Sequence, residues 1–189
     1  MLKNLDWGLL KNNKKFLIIL LFFILTIGIL RTISGTNMPI TVVASGSMEP
    51  TVPTGSIVFI KKVQGYEILA GERPIGDIVV YKSPNTKIYD LFIVTIYDPP
   101  PILHRAIQKV EIGGKYYILT KGDANLYPDF NPNNPKSWIS EDMIIGKLVW
   151  YLPYLGYPFL WLRNPLIMIG LIFFIIVIIL IPREKNTKI

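Results

Sequence analysis

Hydrophobic residues are concentrated in two uninterrupted blocks near the ends of the chain. The first block extends from Phe16 to Leu30 and the second from Leu166 to Ile181, and neither contains a charged residue. A helix needs about 20 apolar residues to cross a hydrocarbon layer about 30 Å thick, so both blocks depend on flanking side chains that extend to the membrane surface. Basic residues flank the first block and aromatic residues precede the second: Lys14, Lys15, Arg31, Trp150, Tyr151, Tyr154, Tyr157 and Trp161. The pattern predicts two transmembrane helices, over residues 16–33 and 165–181.

The first block also has a second interpretation. A basic segment followed by an apolar core of this length is typical of a cleaved secretory signal.

Short hydrophobic runs, separated by glycine, proline and asparagine, fill residues 34–164 and lack a long helical period. This pattern predicts a mainly β domain. Gly113-Gly114 lies between two of the runs and predicts a tight hairpin. The segment Asn125–Ser137 contains three prolines and four asparagines and is predicted to be a loop. The candidate strands are Thr41–Ala44, Ser56–Lys61, Asp77–Tyr81, Leu91–Ile96, His104–Glu111, Lys115–Thr120 and Ile144–Trp150.

Positive charge lies mainly outside the two blocks. Residues 1–30 contain four basic and one acidic residue, residues 182–189 contain three and one, and residues 31–181 contain 13 and 11, which gives +3, +2 and +2 of the formal charge of +7. Since basic residues stay on the cytoplasmic side of membrane helices, residues 1–15 and 182–189 are expected in the cytoplasm and the β domain outside it. A nucleic-acid-binding domain would carry its basic residues clustered on the folded part, so no nucleic acid is expected as a partner.

Candidate chemistry rests on one serine, one histidine and two aspartates. Ser47 follows a glycine and precedes Met48-Glu49-Pro50, a sequence that turns the chain and leaves the hydroxyl at the end of a strand. His104 is the single histidine, and its ordinary pKa near neutrality makes it the simplest general base. Asp123 and Asp129 follow it. Taken singly, each residue is more often structural, since serine and aspartate in turns commonly bond to nearby backbone.

The chain contains no cysteine. It therefore has neither a thiol nucleophile nor a disulfide framework. One histidine without cysteine makes no typical zinc ligand set. We expect no metal and no cofactor.

Four segments, in order, resemble the characteristic boxes of the type I signal peptidase family in its archaeal and endoplasmic-reticulum branch. The resemblance covers about Thr41 to Pro158, and its segments are Ser45–Thr51, Gly76–Tyr81, His104-Arg105 and Lys121–Asn125. The bacterial branch has a lysine base before the arginine, where this chain has His104. The resemblance implies a signal-peptidase-like β domain and a serine endopeptidase that removes signal peptides from secretory preproteins after small residues. The implied partners are preproteins, the lipid bilayer and the translocation machinery.

The resemblance also implies roles for particular residues. Ser47 is the expected nucleophile and His104 the general base, with the Ser47 N–H and the Ser45 hydroxyl as candidate oxyanion donors. Asp129 is favoured as the carboxylate that orients the histidine, whereas Asp123 is expected to hold the loop or the serine turn. The sequence does not separate the two aspartates, so both are candidate catalytic residues.

Two departures from the family pattern and two alternatives remain. The last box ends in Ala124-Asn125, where two asparagines are common, and the family does not fix the stretch Ser83–Ile102. Its apolar run Leu91–Val94 is either a strand or a lipid-docking segment. One alternative function is a serine protease with Lys82 or Lys121 as the base. The other is a membrane-anchored β module for binding or assembly, without enzymatic activity.

Overall fold

The computed structural model describes residues 14–91 and 94–180, and the protein is mainly β, as predicted. One long helix, α1 (Lys14–Ser34), leads into the β domain, and two helices follow it, α2 (Tyr157–Leu162) and α3 (Pro165–Leu180). The strands within the described residues are β1 (Ile40–Val42), β2 (Ile57–Lys61), β3 (Ile78–Tyr81), β4 (Lys87–Leu91), β5 (Val94–Asp98), β6 (Ile102–Ile112), β7 (Lys115–Lys121), β8 (Ile139–Ser140) and β9 (Ile144–Leu152).

Seven strands form one curled antiparallel sheet in the order β1-β2-β9-β3-β6-β7-β8, and β4 and β5 form a separate hairpin. Register shifts interrupt the pairing of β2, β3 and β6, and such irregularities bend a strand and increase its twist. Successive β side chains point to opposite faces, so the apolar residues fill two clusters. One contains Val43, Met48, Val52, Val58, Ile60, Ile78, Val80 and Ile145. The other contains Ile68, Val79, Tyr81, Ala106, Ile118 and Ile139.

The predicted hairpin at Gly113-Gly114 is confirmed, since Ile112 pairs with Lys115 across two glycines at φ 61° and 77°. These positive φ values suit glycine, which lacks a Cβ atom. The predicted loop over residues 125–137 is also confirmed: it contains no strand and only a 3₁₀ turn at Pro135–Ser137.

The single strand predicted over Leu91–Ile96 is wrong. Leu91 pairs with Val94, so the chain reverses between them and forms the β4–β5 hairpin. Phe92 and Ile93 lie outside the described residues. This reversal contains none of the glycine, proline or asparagine signals that mark a turn in sequence, so hydrophobicity alone suggested a continuous strand.

The two terminal helices differ in length. Within α1, Leu17–Ser34 has a mean hydropathy of 2.5 with none of it buried, which is long and apolar enough to cross a membrane. Helix α3 has 16 residues and no charge, and a helix of that length spans a bilayer only with help from flanking residues. Residues 1–13 of the predicted cytoplasmic segment 1–15, together with Ile181 and the predicted cytoplasmic tail 182–189, lie outside the described residues.

Candidate active site

Ser47 lies in a 3₁₀ turn, Gly46–Met48, that follows β1. Met48 is 1% exposed and fixes the turn in the hydrophobic core, while the Ser47 side chain is only partly covered. Backbone bonds close the turn on both sides, from Glu49 N to Gly46 O at 3.1 Å and from Val52 N to Met48 O at 2.9 Å. A buried anchor next to an accessible hydroxyl holds the serine in a defined position.

His104 lies on β6, where it pairs with Val79 of β3. Its Nε2 is 3.0 Å from the Ser47 Oγ, and its Nδ1 is 2.6 Å from the Asp129 Oδ2. The histidine side chain is 10% exposed and the Asp129 side chain 15% exposed. The three residues therefore form a hydrogen-bonded series that ends at a hydroxyl open to the surface.

Two further side chains hold Asp129. Its Oδ2 accepts hydrogen bonds from the Thr120 hydroxyl at 2.6 Å and the Tyr81 hydroxyl at 3.0 Å, and its backbone N–H donates to the Thr120 carbonyl at 2.8 Å. Burial acts to raise the pKa of Asp129, but the hydrogen bonds from His104, Thr120 and Tyr81 outweigh it and hold this pKa below its usual value. Asp129 is thus a carboxylate at neutral pH.

Sequence reasoning assigned no role to Thr120 or Tyr81. The sequence holds only a weak signal for them: each has a hydroxyl at the end of a short apolar run, Ile78–Tyr81 or Ile118–Thr120, that is buried. Burial, with a further contribution from Asp129, raises the pKa of Tyr81. Tyr81 therefore stays protonated and donates to that carboxylate.

Asp123 does not contact His104 and instead binds Arg105. Its two carboxylate oxygens accept from the Arg105 Nε at 2.7 Å and Nη2 at 2.6 Å, and Oδ2 also accepts from the Thr51 hydroxyl. Both charged side chains are nearly covered, at 5% and 3% exposure for Arg105 and Asp123. Burial acts to raise the pKa of Asp123, but the bonds from Arg105 and Thr51 lower it overall.

The alternation of β6 explains why two neighbouring residues bind different aspartates. Consecutive side chains of a strand point to opposite faces of the sheet. His104 lies on the face of Val79 and Asp129, and Arg105, paired with Ile78, points the other way to Asp123. The two carboxylates thus lie on different sides of one strand.

A backbone contact joins the aspartate loop to the serine turn. Ala124 N donates to the Ser47 carbonyl at 2.9 Å, and a Cβ atom at Gly122 would lie 2.6 Å from that same oxygen. Only glycine allows the two segments to approach this closely. The box Lys121–Asn125 therefore supports the position of Ser47 without supplying its base.

Ser45 lies next to the nucleophile candidate, with its Oγ 3.4 Å from the Ser47 Oγ and its side chain exposed. Lys121 lies on β7, paired with Arg105. Lys82 lines a separate small cavity together with Lys62 and Asp142. Among the described residues, no lysine hydrogen bonds to Ser47.

A groove of about 680 Å³ begins at Ser47 and His104. Its lining includes Thr41–Ser45, from β1 and the residues that follow it, as well as Thr95–Tyr97 and Pro100–Leu103. Phe159, Leu160 and Arg163 also line the groove, as does Met38. Strand β1 ends the sheet and pairs only with β2 among the described strands, so its other edge has free backbone groups. Thr41 and Val42 of this strand line the groove.

Comparison with known proteins finds relatives that are named as signal peptidase catalytic subunits. The chain is 34% identical to the signal peptidase complex catalytic subunit sec11 of Sclerotinia sclerotiorum over 152 residues, which cover 77% of this chain and 78% of the relative. It is 32% identical to the corresponding subunit SEC11 of Schizophyllum commune over 173 residues, which cover 82% of this chain and 81% of the relative. It is also 34% identical to the subunit SEC11 of Lachancea thermotolerans over 140 residues, which cover 71% of this chain and 72% of the relative. No protein-family model matches the chain.

These relatives carry the name of a catalytic subunit, and the similarity extends over most of both chains. These names support the prediction of an enzyme and not the alternative of a binding module without enzymatic activity. This protein is a protease of the type I signal peptidase family, in the branch of the endoplasmic-reticulum catalytic subunits.

Proposed function

We propose that this chain is a membrane-anchored serine endopeptidase that removes signal peptides from secretory preproteins, cutting after small residues. Its nucleophile is Ser47, its general base His104, and its orienting carboxylate Asp129. The observation that carries the proposal is the series of hydrogen bonds from Ser47 Oγ to His104 Nε2 at 3.0 Å and from His104 Nδ1 to Asp129 Oδ2 at 2.6 Å. The names of the relatives support the substrate class.

The first half of the reaction forms an acyl-enzyme. His104 Nε2 takes the hydroxyl proton of Ser47 while Oγ attacks the scissile carbonyl carbon. Asp129 accepts the Nδ1–H bond, which fixes the tautomer with a free Nε2 and stabilises the imidazolium that forms. The tetrahedral intermediate then collapses, the C–N bond breaks, and the leaving amine takes the proton from Nε2.

The second half releases the signal peptide. His104 removes a proton from a water molecule that attacks the ester, and it returns this proton to Ser47 Oγ as the ester bond breaks. The oxygen that becomes negative in both halves needs donors within hydrogen-bond reach. The N–H of Ser47 lies at the start of a helical turn, where such groups have no partner within the turn, and the Ser45 hydroxyl is a second candidate.

The groove suits an extended peptide. An extended segment beside the free edge of β1 gains backbone hydrogen bonds, as in other cases of strand addition. Among the groove-lining residues near Ser47, Ala44, Val80 and Leu103 offer the shallow apolar surface that small side chains require. Asp123 with Arg105 is a structural pair that holds the loop beside the nucleophile.

Two membrane helices anchor the enzyme in this proposal. Helix α1 continues directly into the domain, with Lys62 N donating to the Ser34 carbonyl at 2.8 Å, which favours a permanent anchor over a cleaved signal. The second proposed span covers residues 165–181 and contains helix α3. Exposed aromatic residues before it suit the interface: Trp150, Tyr154 and Trp161 are 56%, 60% and 58% exposed. Both termini are then cytoplasmic, at residues 1–15 and 182–189, with the catalytic domain at residues 34–164 outside.

The partners follow from the same proposal. Secretory preproteins are the substrates. The lipid bilayer surrounds the two membrane helices. The relatives are named as subunits of a complex, so further subunits and the translocation machinery are proposed as protein partners.

The proposal is tested by cleavage of a secretory preprotein by the purified full chain in liposomes, with the cut mapped by mass spectrometry. Wild type is expected to cut after a small residue, and Ser47→Ala to lose cleavage by about a millionfold. Ser137→Ala, at another exposed serine, is the control and keeps wild-type rates. Cleavage undiminished in Ser47→Ala overturns the nucleophile, and a folded wild type that never cleaves overturns self-sufficient activity.

A further inference from the structure

The β4–β5 hairpin (Lys87–Asp98) is an addition to the main sheet. It pairs only with itself among the described strands, and it lies within Ser83–Ile102, the stretch that the family pattern does not fix. Even so, Thr95, Ile96 and Tyr97 of β5 line the same groove as Thr41 and Val42 of β1. A segment outside the shared fold thus forms part of the peptide-binding surface.

Several contacts fix this hairpin in place. Arg31, near the end of α1, donates from Nη2 to the Thr95 hydroxyl at 2.8 Å and lies 3.8 Å from the Asp90 carboxylate. Asp90 and Thr95 are directly opposite each other in the hairpin, so one arginine contacts both strands. Tyr97 packs against the core cluster that contains Met48. The membrane helix and the core beneath Ser47 therefore both position β5.

The groove is lined both by residues next to the terminal helices and by the catalytic candidates. Met38 comes shortly after α1 ends at Ser34, and Arg163 comes shortly before α3 begins at Pro165. Ser47 and His104 line the same groove. A peptide whose apolar segment sits in the bilayer is therefore expected to pass the residues next to the helices before it reaches Ser47.

We propose that the hairpin is a specificity-determining wall for the preprotein segment between the apolar stretch and the cut. Ile96 limits the size of the side chains that this segment can carry, and Arg31 is a positioning residue that sets the wall. This inference rests on the proposed function. It concerns substrate residues nearer the membrane than the small residues at the cut itself.

The test uses two preproteins that differ only in this segment, one with alanines and one with leucine and phenylalanine. Ile96→Ala is expected to raise kcat/KM for the bulky preprotein about tenfold relative to the small one, since removing methylenes from one wall changes discrimination by factors of that order. Ile88→Ala is the matched control, because Ile88 is 48% exposed against 46% for Ile96, lies on the same hairpin, and does not line the groove. It should keep the wild-type ratio.

Arg31 is tested in the same assay. Arg31→Ala is expected to raise KM for both preproteins about threefold to tenfold while kcat stays within about twofold, because the chemistry at Ser47 is untouched. Arg31→Lys should recover part of the loss by keeping the charge near Asp90. If Arg31→Ala does not fold, Asp90→Asn, whose side chain is 50% exposed, takes its place with the same expected rise in KM.

The outcomes separate this inference from the proposed function. If wild type cleaves both preproteins, and Ile96→Ala and Ile88→Ala give the same ratio of kcat/KM for the bulky and the small preprotein, the role of the hairpin in specificity is overturned. The proposed peptidase function is then unaffected. A fall in kcat without a change in KM for Arg31→Ala or Asp90→Asn overturns the positioning role. Cleavage that persists in Ser47→Ala overturns the peptidase mechanism itself.

Discussion

Replacing each of the two aspartates by asparagine should produce opposite effects on catalysis and stability. Asp129 bonds to His104, whereas Asp123 bonds to Arg105 and Thr51. The Asp129→Asn substitution would keep the shape of the side chain but lose the charge that stabilises the imidazolium. The new amide group would also compete to donate to Nδ1, which favours the tautomer with a protonated Nε2 and removes the base.

The magnitudes follow from these contacts. An equivalent loss of the orienting carboxylate in a serine protease lowers kcat by about 10⁴-fold, which corresponds to about 5.4 kcal/mol at 1.36 kcal/mol per tenfold. For Asp123→Asn, Arg105 would keep a buried charge without its counter-ion, and such losses cost about 3–5 kcal/mol of unfolding free energy. Its kcat should fall by no more than about tenfold, because the Asp123 carboxylate bonds to Arg105 and Thr51 and not to His104.

The assay combines two measurements on each variant in detergent. Single-turnover cleavage of a preprotein gives the rate of acylation, and tryptophan fluorescence during denaturation gives the unfolding free energy. We expect Asp129→Asn to be nearly inactive but less destabilised than Asp123→Asn, and Asp123→Asn to be active and strongly destabilised. A folded Asp129→Asn enzyme with a wild-type rate, or a stable Asp123→Asn enzyme without activity, would refute the assignment of the two carboxylates.

Four further results are expected. His104→Ala should lower kcat by about 10⁶-fold, measured by single-turnover cleavage, and a nearly wild-type rate would point to a lysine base. Gly122→Ala should lower both activity and the thermal midpoint, because its methyl would meet the Ser47 carbonyl; unchanged values of both would contradict the close approach. The pKa values of Asp123 and Asp129 are lowered in the folded protein, so their ionised forms stabilise the folded state. This stabilisation is complete above the ordinary carboxyl pKa of about 3.9, and it is lost as the pH falls through the lower pKa of the folded state. Thermal midpoints should therefore drop below about pH 4, less steeply in Asp123→Asn. EDTA should leave the cleavage rate unchanged, since the described residues contain no group of three or more potential metal ligands; inhibition that added metal reverses would contradict this.

The local features that the sequence predicted well are those with a short-range cause. Paired glycines encode the β6–β7 turn, because both adopt positive φ, and prolines keep the segment from Asn125 to Ser137 out of the sheet. The hairpin of β4 and β5 was not predicted, because it has no such short-range cause. Its reversal follows Leu91 without a turn residue, and the contacts that stabilise it come from distant Arg31 and from the core.

The sequence by itself determined the kind of protein: a β domain beside apolar segments, with a serine, a single histidine and two aspartates in an order that resembles one peptidase family. It did not separate the roles of Asp123 and Asp129, because both follow turn-forming residues and neither has a local signal that names its partner. Tertiary structure decided this through the alternation of β6, which directs His104 to one face and Arg105 to the other. The choice depends on the register of β3 and β6 and on the return of the loop after β7, and such long-range pairings have no counterpart in the local pattern of a single chain.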